Sequence, residues 1–254
     1  MFRFTNKNIV ITGGGSGIGK ASAMLFAKQH GTVYIVDVNE EAAHQAVYEI
    51  KEKGGDAFAR IVDVTMQQDV VDAFSQINSI DVLVNCAGIS HIGKADTTTE
   101  KDFDRIFNVN VKGVYNCLYA AIPLMKHEDG GVILNLASVV SSVGIPERFA
   151  YSMSKGAIYA MTLSVAKDYI HENIRCNCIS PGRVHTPFVD NYLAKNYPGK
   201  EKEMYEKLAK TQPIGRMATP DEIAYLILYL CSDEAAFITG SDYPIDGGFI
   251  KLNN

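Results

Sequence analysis

The sequence predicts a single α/β domain built on a doubly wound, mostly parallel sheet of seven strands. Three observations lead there. Short apolar runs rich in β-branched residues alternate with amphipathic stretches along the chain. The first run leads straight into a glycine-rich turn at 12–19. The 254 residues, 47% of them hydrophobic, are ample for one large core, and no Pro/Gly/Ser linker or repeat divides them.

The expected strands are 8–12, 32–37, 57–62, 81–84, 131–136, 174–180 and 242–245. Several are continuously apolar rather than alternating, which marks strands covered on both faces and hence a parallel sheet. Amphipathic stretches such as 20–29, 40–53 and 69–77 supply the crossover helices, and right-handed crossovers wind them over both faces. Cys176 and Cys178, two apart in an apolar strand, share one face as buried thiols. The segment 186–212 breaks the alternation, being polar and charged with Tyr192, Tyr197 and Tyr205 interspersed. It is too long for an ordinary strand–helix connection and follows a strand's C-terminal end, where such sheets bind ligands. It reads as a substrate-covering lid, the alternative being a solvated helical excursion. Thr219-Pro220-Asp221-Glu222 then supplies a cap, a first-turn proline and a glutamate that start a buried helix through 223–231, about half a membrane span long.

Composition excludes several classes. Twenty-four basic against 29 acidic residues, with no basic cluster, argue against nucleic acid. Five cysteines without a C-x-x-C pair suggest neither a disulfide framework nor a zinc site, and the six scattered histidines form no ligand pattern, so no metal is expected. No secretory leader or membrane span is evident, and a soluble cytoplasmic protein is expected.

The turn Thr12-Gly-Gly-Gly-Ser-Gly-Ile-Gly19 lets the backbone approach a diphosphate at a helix N-terminus, although a tight turn needs glycine in any case. Asp37 ends the second strand 18 residues past Gly19, where a carboxylate can accept hydrogen bonds from ribose hydroxyls and repel a 2′-phosphate. With no Lys or Arg in 36–39 and Ser16 before Gly17, NAD is preferred to NADP; the alternative for Asp37 is a helix cap. Asp63 could touch the adenine or cap the next helix.

Tyr151 and Lys155 stand at i and i+4 on one helix face. A phenol of ordinary pKa about 10 is a poor base near neutrality, and a neighbouring ammonium lowers that value. Alone the pair is common surface chemistry. Ser138 at the end of the fifth strand, Asn110 in the preceding long helix and Asn85-Cys86-Ala87-Gly88 after the fourth strand would gather at the same mouth.

With these residues the chain resembles the short-chain dehydrogenase/reductase family along nearly its whole length. The matching pieces are 12–19, Asp63-Val64, 85–88, Asn110, Ser138, Tyr151-x-x-x-Lys155, Arg175-x-Asn177, Pro181-Gly182 and Asp246-Gly247-Gly248. Cys86 departs from the family's usual asparagine. The resemblance implies a Rossmann-type domain over 1–254 with strand order 3-2-1-4-5-6-7 and a homodimer or homotetramer, pairing through the helices of Asn110 and Tyr151 and the C-terminal segment. It implies that Tyr151 is the general acid/base, that Lys155 lowers its pKa and holds the nicotinamide ribose, that Ser138 bonds the reacting oxygen, and that Asn110 holds a relay water. The cofactor set it implies is Gly13, Ser16, Gly17, Ile18, Gly19, Asp37, Asp63, Val64, Asn85, Ala87, Gly88, Tyr151, Lys155, Pro181, Gly182, Val184 and Thr186.

Arg148, Arg183 and His185 are candidate substrate residues beside Ser138 and Tyr151, with Ser90, His91 and Ser141 further candidates for the mouth. Two arginines suggest an anionic substrate, because arginine grips carboxylate in a bidentate way; alternatively they face solvent or pair with Glu147 or Asp190. The stretch 174–187 resembles the branch of 3-hydroxybutyrate and 2-keto-3-deoxy-L-fuconate dehydrogenases, in which Arg148 matches a carboxylate arginine. The expectation is an NAD-dependent oxidation of a hydroxy acid or sugar acid. The alternatives are a neutral sugar or polyol, an NADPH-dependent 3-oxoacyl-type ketoreductase, and a dinucleotide sensor without turnover.

Overall fold

Seven strands form one sheet in the order β3-β2-β1-β4-β5-β6-β7, and every neighbouring pair is parallel. They are β1 (Asn8–Thr12), β2 (Thr32–Asp37), β3 (Asp56–Ile61), β4 (Val82–Asn85), β5 (Gly131–Leu136), β6 (Ile174–Pro181) and β7 (Asp242–Ile245). Each expected strand is present with its ends moved by at most one residue. The structure, a computed structural model, describes residues 2–127 and 130–252. Residues 1, 128–129 and 253–254, which the single-domain expectation includes, lie outside the described residues, as do the side chains of Phe188 and Asn196.

Strand periodicity divides the core in two. Val10 of β1 and Leu83 of β4 join one cluster, whereas Ile9, Ile11, Val82 and Val84 join the other. The first face is covered by α3 (Gln67–Ser75), α5 (Gly113–His127) and α6 (Phe149–Asp168), which contribute Phe74, Met125 and Ile158. The second is covered by α1 (Gly17–Lys28), α2 (Glu40–Glu52) and α9 (Pro220–Cys231), through Phe26, Ile50 and Ile227. Cys176 and Cys178 are fully buried on the first face, as their spacing predicts. Thr219 and Glu222 make the expected capping box at the start of α9.

Short helix α4 (Glu100–Ile106) runs into α5 through a π-helical turn, Phe107–Lys112. Asn110 therefore sits on a widened turn rather than within a regular helix, and its side chain is turned inward, 1% exposed. The segment 186–212 folds as two helices, α7 (Pro187–Asn196) and α8 (Glu201–Ala209). Its base is closed by a parallel bridge between Val184 and Ala218, with His185 N donating to Ala218 O at 2.8 Å and Ala218 N to Arg183 O at 2.9 Å. Helix α10 (Phe249–Leu252) follows β7 and brings Phe249 to the same cavity as residues of α7 and α8.

Candidate active site

A cavity of about 590 Å³ opens above the C-terminal ends of the strands, where the strand order reverses between β1 and β4. At one end the turn before α1 is bare backbone. Gly13 has φ +64°, and a Cβ there would lie 2.9 Å from the Ala87 backbone; a Cβ on Gly19 would collide with the Gly13 carbonyl oxygen. Thr12 Oγ1 accepts from Cys86 N and Ala87 N, both at 3.1 Å, and so locks the 85–88 segment onto the end of β1. Asp37 Oδ2 accepts from Gly15 N and Oδ1 from Asn39 N, each at 3.0 Å, which clamps the carboxylate at the cavity wall. Asn116 of α5 donates to Val64 O at 2.8 Å and sets the Asp63–Val64 wall. These groups fit a dinucleotide: a helix N-terminus without side chains for the diphosphate, and a fixed acceptor for a ribose. Gly19→Ala is expected to destabilise the fold by about 1–3 kcal/mol through overpacking and to abolish dinucleotide binding; urea unfolding and NAD titration check this.

Of the residues expected to hold a cofactor, Gly13, Ser16, Gly17, Ile18, Gly19, Asp37, Asp63, Val64, Ala87, Gly88, Tyr151, Lys155, Pro181, Gly182, Val184 and Thr186 all line the cavity. Asn85 does not. It is 2% exposed and donates to Asn135 Oδ1 at 2.8 Å, within the sheet.

At the other end stand Ser138, Tyr151 and Lys155. Ser138 leaves β5 in extended backbone, and Tyr151 lies in the first turn of α6. Burial pushes the Tyr151 hydroxyl up, while hydrogen bonding to Ser138 and the Arg148 charge pull it down. Lys155, 7% exposed, donates from Nζ to Leu136 O at 2.6 Å, and its Nζ lies 5.8 Å from the Tyr151 ring centroid. Burial pushes Lys155 down to about 8. Lys155 is thus beside Tyr151, as its i+4 spacing predicts, while its own charge is opposed by burial. Ser138 and Arg148 oppose the burial of the phenol, and one Lys155 ammonium hydrogen goes to the Leu136 carbonyl. Asn110 is not in the cavity wall: its Oδ1 accepts from Ile89 N at 2.8 Å, and its Nδ2 donates to Ile89 O at 2.8 Å and Ser154 Oγ at 3.0 Å. A Cβ on Gly88 would sit 3.4 Å from Asn110 Oδ1 and 3.7 Å from Lys155 Nζ, so the glycine leaves open the space between them.

Arg148 and Arg183 both line the cavity, and the Arg148 charge helps burial push Arg183 down. Neither pairs with Glu147 or Asp190 through its side chain. Arg148 Nη1 donates to the Glu147 backbone oxygen at 3.2 Å, and Arg183 Nε donates to Thr211 Oγ1 at 2.9 Å. His185 is not brought to the cavity; its Nε2 is 2.8 Å from Asp190 Oδ1 and its ring packs edge-on to Tyr205. Ser90 lines the cavity, and Ser141 lines a neighbouring hollow instead. Tyr192 and Gln212 were not singled out as site residues, yet both line the cavity; the Arg148 charge reaches the Tyr192 hydroxyl, and Gln212 Oε1 accepts from Arg183 N at 3.2 Å. Tyr192 stood out only as an aromatic in a polar stretch, and Gln212 only as the end of the lid. Cys86 also lines the cavity, its thiol pushed up to about 12 by burial. Among the described residues no cluster of His, Cys, Asp or Glu suits a metal ion, and no helix is long and apolar enough to cross a membrane.

A family model described as enoyl-(acyl carrier protein) reductase matches residues 13–250. Dehydrogenase/reductase SDR family member 6 of Xenopus laevis is 40% identical, over 98% of this chain and 99% of that protein. The 2-keto-3-deoxy-L-fuconate dehydrogenase of Xanthomonas campestris is 34% identical, over 97% and 81%. The L-sorbose reductase of Gluconobacter frateurii, solved with NADPH and L-sorbose, superposes with a TM-score of 0.94 at 29% identity over 99% of both chains.

Proposed function

The chain belongs to the short-chain dehydrogenase/reductase family of oxidoreductases, and from that premise we propose that it is an NAD-dependent dehydrogenase oxidising a secondary alcohol of a small hydroxy acid or sugar acid. One observation carries this reading: a single cavity has the Asp37 carboxylate at one end and Ser138, Tyr151, Arg148 and Arg183 at the other.

A bound nicotinamide dinucleotide supplies the hydride acceptor. The chain does the rest. Arg148 and Arg183 draw in the substrate's carboxylate, and Ser138 donates to the oxygen of the reacting carbinol. Tyr151 takes that hydroxyl's proton in its ionised form. Lys155 holds the ribose, and the gap at Gly88 between Lys155 and Asn110 leaves room for a water in the proton path to solvent. Asp37 favours NAD because its carboxylate, held by Gly15 and Asn39, would face a 2′-phosphate. We expect kcat/KM with NAD to exceed that with NADP by on the order of 10²-fold, since opposed like charges cost several kcal/mol, and Asp37→Ser to remove most of the preference. Equal use of both cofactors by the wild type would overturn the assignment, and a preference for NADPH, the cofactor bound in the L-sorbose reductase, would favour the ketoreductase.

The decisive experiment is steady-state oxidation across a panel of hydroxy acids, sugar acids and neutral polyols. Turnover of polyols alone would favour the neutral-substrate reading, which draws on Arg183 Nε already being held by Thr211. Tight NAD binding without any turnover would favour a sensor. Five unpaired thiols suit a reducing compartment such as the cytoplasm. Exposed Tyr115 and Tyr119 on α5 and Phe149 and Tyr159 on α6 support pairing of two copies across these helices, as a homodimer or homotetramer.

A further inference from the structure

We propose that His91 is a positioning residue for Arg148, acting through Gly93. The inference rests on the proposed function only for its kinetic consequence; the positioning itself is a matter of geometry.

Gly93 and Arg148 form an isolated parallel β-bridge, far from the main sheet in connectivity. Gly93 N donates to Glu147 O at 3.0 Å, and Phe149 N donates to Gly93 O at 3.1 Å. The main chain on either side of Arg148 is thus tied to one glycine. Glu147 adopts φ +59°, an unfavourable conformation for a residue with a Cβ, in presenting its carbonyl to Gly93. The bridge is wedged from behind by His91. A Cβ on Gly93 would lie 2.6 Å from His91 Cε1 and 2.7 Å from Thr98 Oγ1, so ring and glycine are in close contact.

His91 is itself held. Its side chain is 13% exposed, and Nε2 lies 3.7 Å from Asp102 Oδ2 on α4. That carboxylate is anchored by Thr99 Oγ1, which donates to Oδ2 at 2.8 Å, and faces Arg105 at 3.6 Å. His91 Nδ1 is buried without a hydrogen-bond partner. Such an orphaned group is a cost that needs a reason, and the packing of the ring against Gly93 supplies one.

The wedge matters because Arg148 has somewhere else to go. It lines both the main cavity and a second, open hollow of about 410 Å³ bounded by Lys94, Ser141, Ser142 and Gly144. The bridge fixes the Arg148 backbone from which the guanidinium reaches Glu147 O and the Tyr192 hydroxyl; once the backbone is loosened, the guanidinium can swing into that hollow and leave the reacting end of the cavity.

The test uses the full chain as wild type and as His91→Ala, His91→Gln and Gly93→Ala. In hydrogen–deuterium exchange, His91→Ala and Gly93→Ala are expected to speed exchange at the Gly93 and Phe149 amides at least tenfold while β1 and β5 stay protected. Site-resolved phenylglyoxal labelling of Arg148 is expected to quicken severalfold, with Arg216 unchanged. His91→Gln, which keeps a polar group facing Asp102, is expected to restore both. Unchanged exchange and labelling at Arg148 would overturn the proposal, and so would uniform acceleration across the chain, which marks general loosening. Kinetics separate this from the function: with 3-hydroxybutyrate, KM should rise about tenfold in His91→Ala with kcat nearly constant, and cyclopentanol should show no such rise. Faster Arg148 labelling without the change in KM would sustain the positioning role and retire the carboxylate role of Arg148 instead.

Discussion

Tyr151→Phe is expected to lower kcat for alcohol oxidation about a thousandfold, or roughly 4 kcal/mol of barrier, within the range of a positioned general base. NAD affinity should hold within a factor of three, because the ring and the Gly13–Gly19 turn are untouched. The pH profile gives the sign. In the proposed oxidation the Tyr151 phenolate is the base, and burial holds its hydroxyl above its ordinary value. The free-enzyme kcat/KM therefore climbs as pH rises through the alkaline range. Lys155, pushed down to about 8, sheds its charge along that limb, so its hold on an anionic neighbour weakens as the phenolate gains. The variant's residual rate should lack the limb altogether. Wild-type activity with an unchanged profile in Tyr151→Phe would remove this residue from the chemistry.

Arg148→Ala should act on binding rather than on the chemical step. Charge-assisted hydrogen bonds are worth about 1.5–3 kcal/mol, so KM for hydroxy acids should rise roughly ten- to a hundredfold with kcat little changed. Neutral secondary alcohols should be indifferent. Arg148→Lys should recover only part of the loss, because an ammonium cannot grip a carboxylate in a bidentate way. Arg183→Ala should cost less, since Thr211 already takes its Nε hydrogen. A uniform fall in kcat for acids and neutral alcohols alike would point to disturbance of Tyr151, whose ionisation feels the Arg148 charge.

Most of the fold was legible because its signals are local. β1 and β4 are apolar at successive positions, and burial on both faces leaves no other pattern available. The glycine turn was legible because Gly13 needs positive φ and Gly19 has no room for a Cβ. Other features depend on tertiary contacts and left no local trace. Asn110 reads as part of a continuous helix in sequence, since a single π-turn inside a helix leaves no distinct local pattern. His185 follows Pro181-Gly182 like its cavity-lining neighbours, but its ring is drawn outward by Asp190, only five residues on. The interplay of Tyr151 and Lys155 follows from spacing, whereas the direction in which burial tips each group depends on what covers them. Tyr192 reaches the cavity only because α7 lays it there.

Cys86 carries a consequence for how this protein meets oxidants. Burial pushes its thiol up to about 12, which disfavours the reactive thiolate at neutral pH. Peroxides and electrophilic metabolites would therefore find a sulfur in the cofactor cavity that scarcely answers them. Cys117 and Cys231 are held at about 12 in the same way, and burial raises Cys176 and Cys178 as well. All five thiols are thus held by burial on the protonated, weakly nucleophilic side.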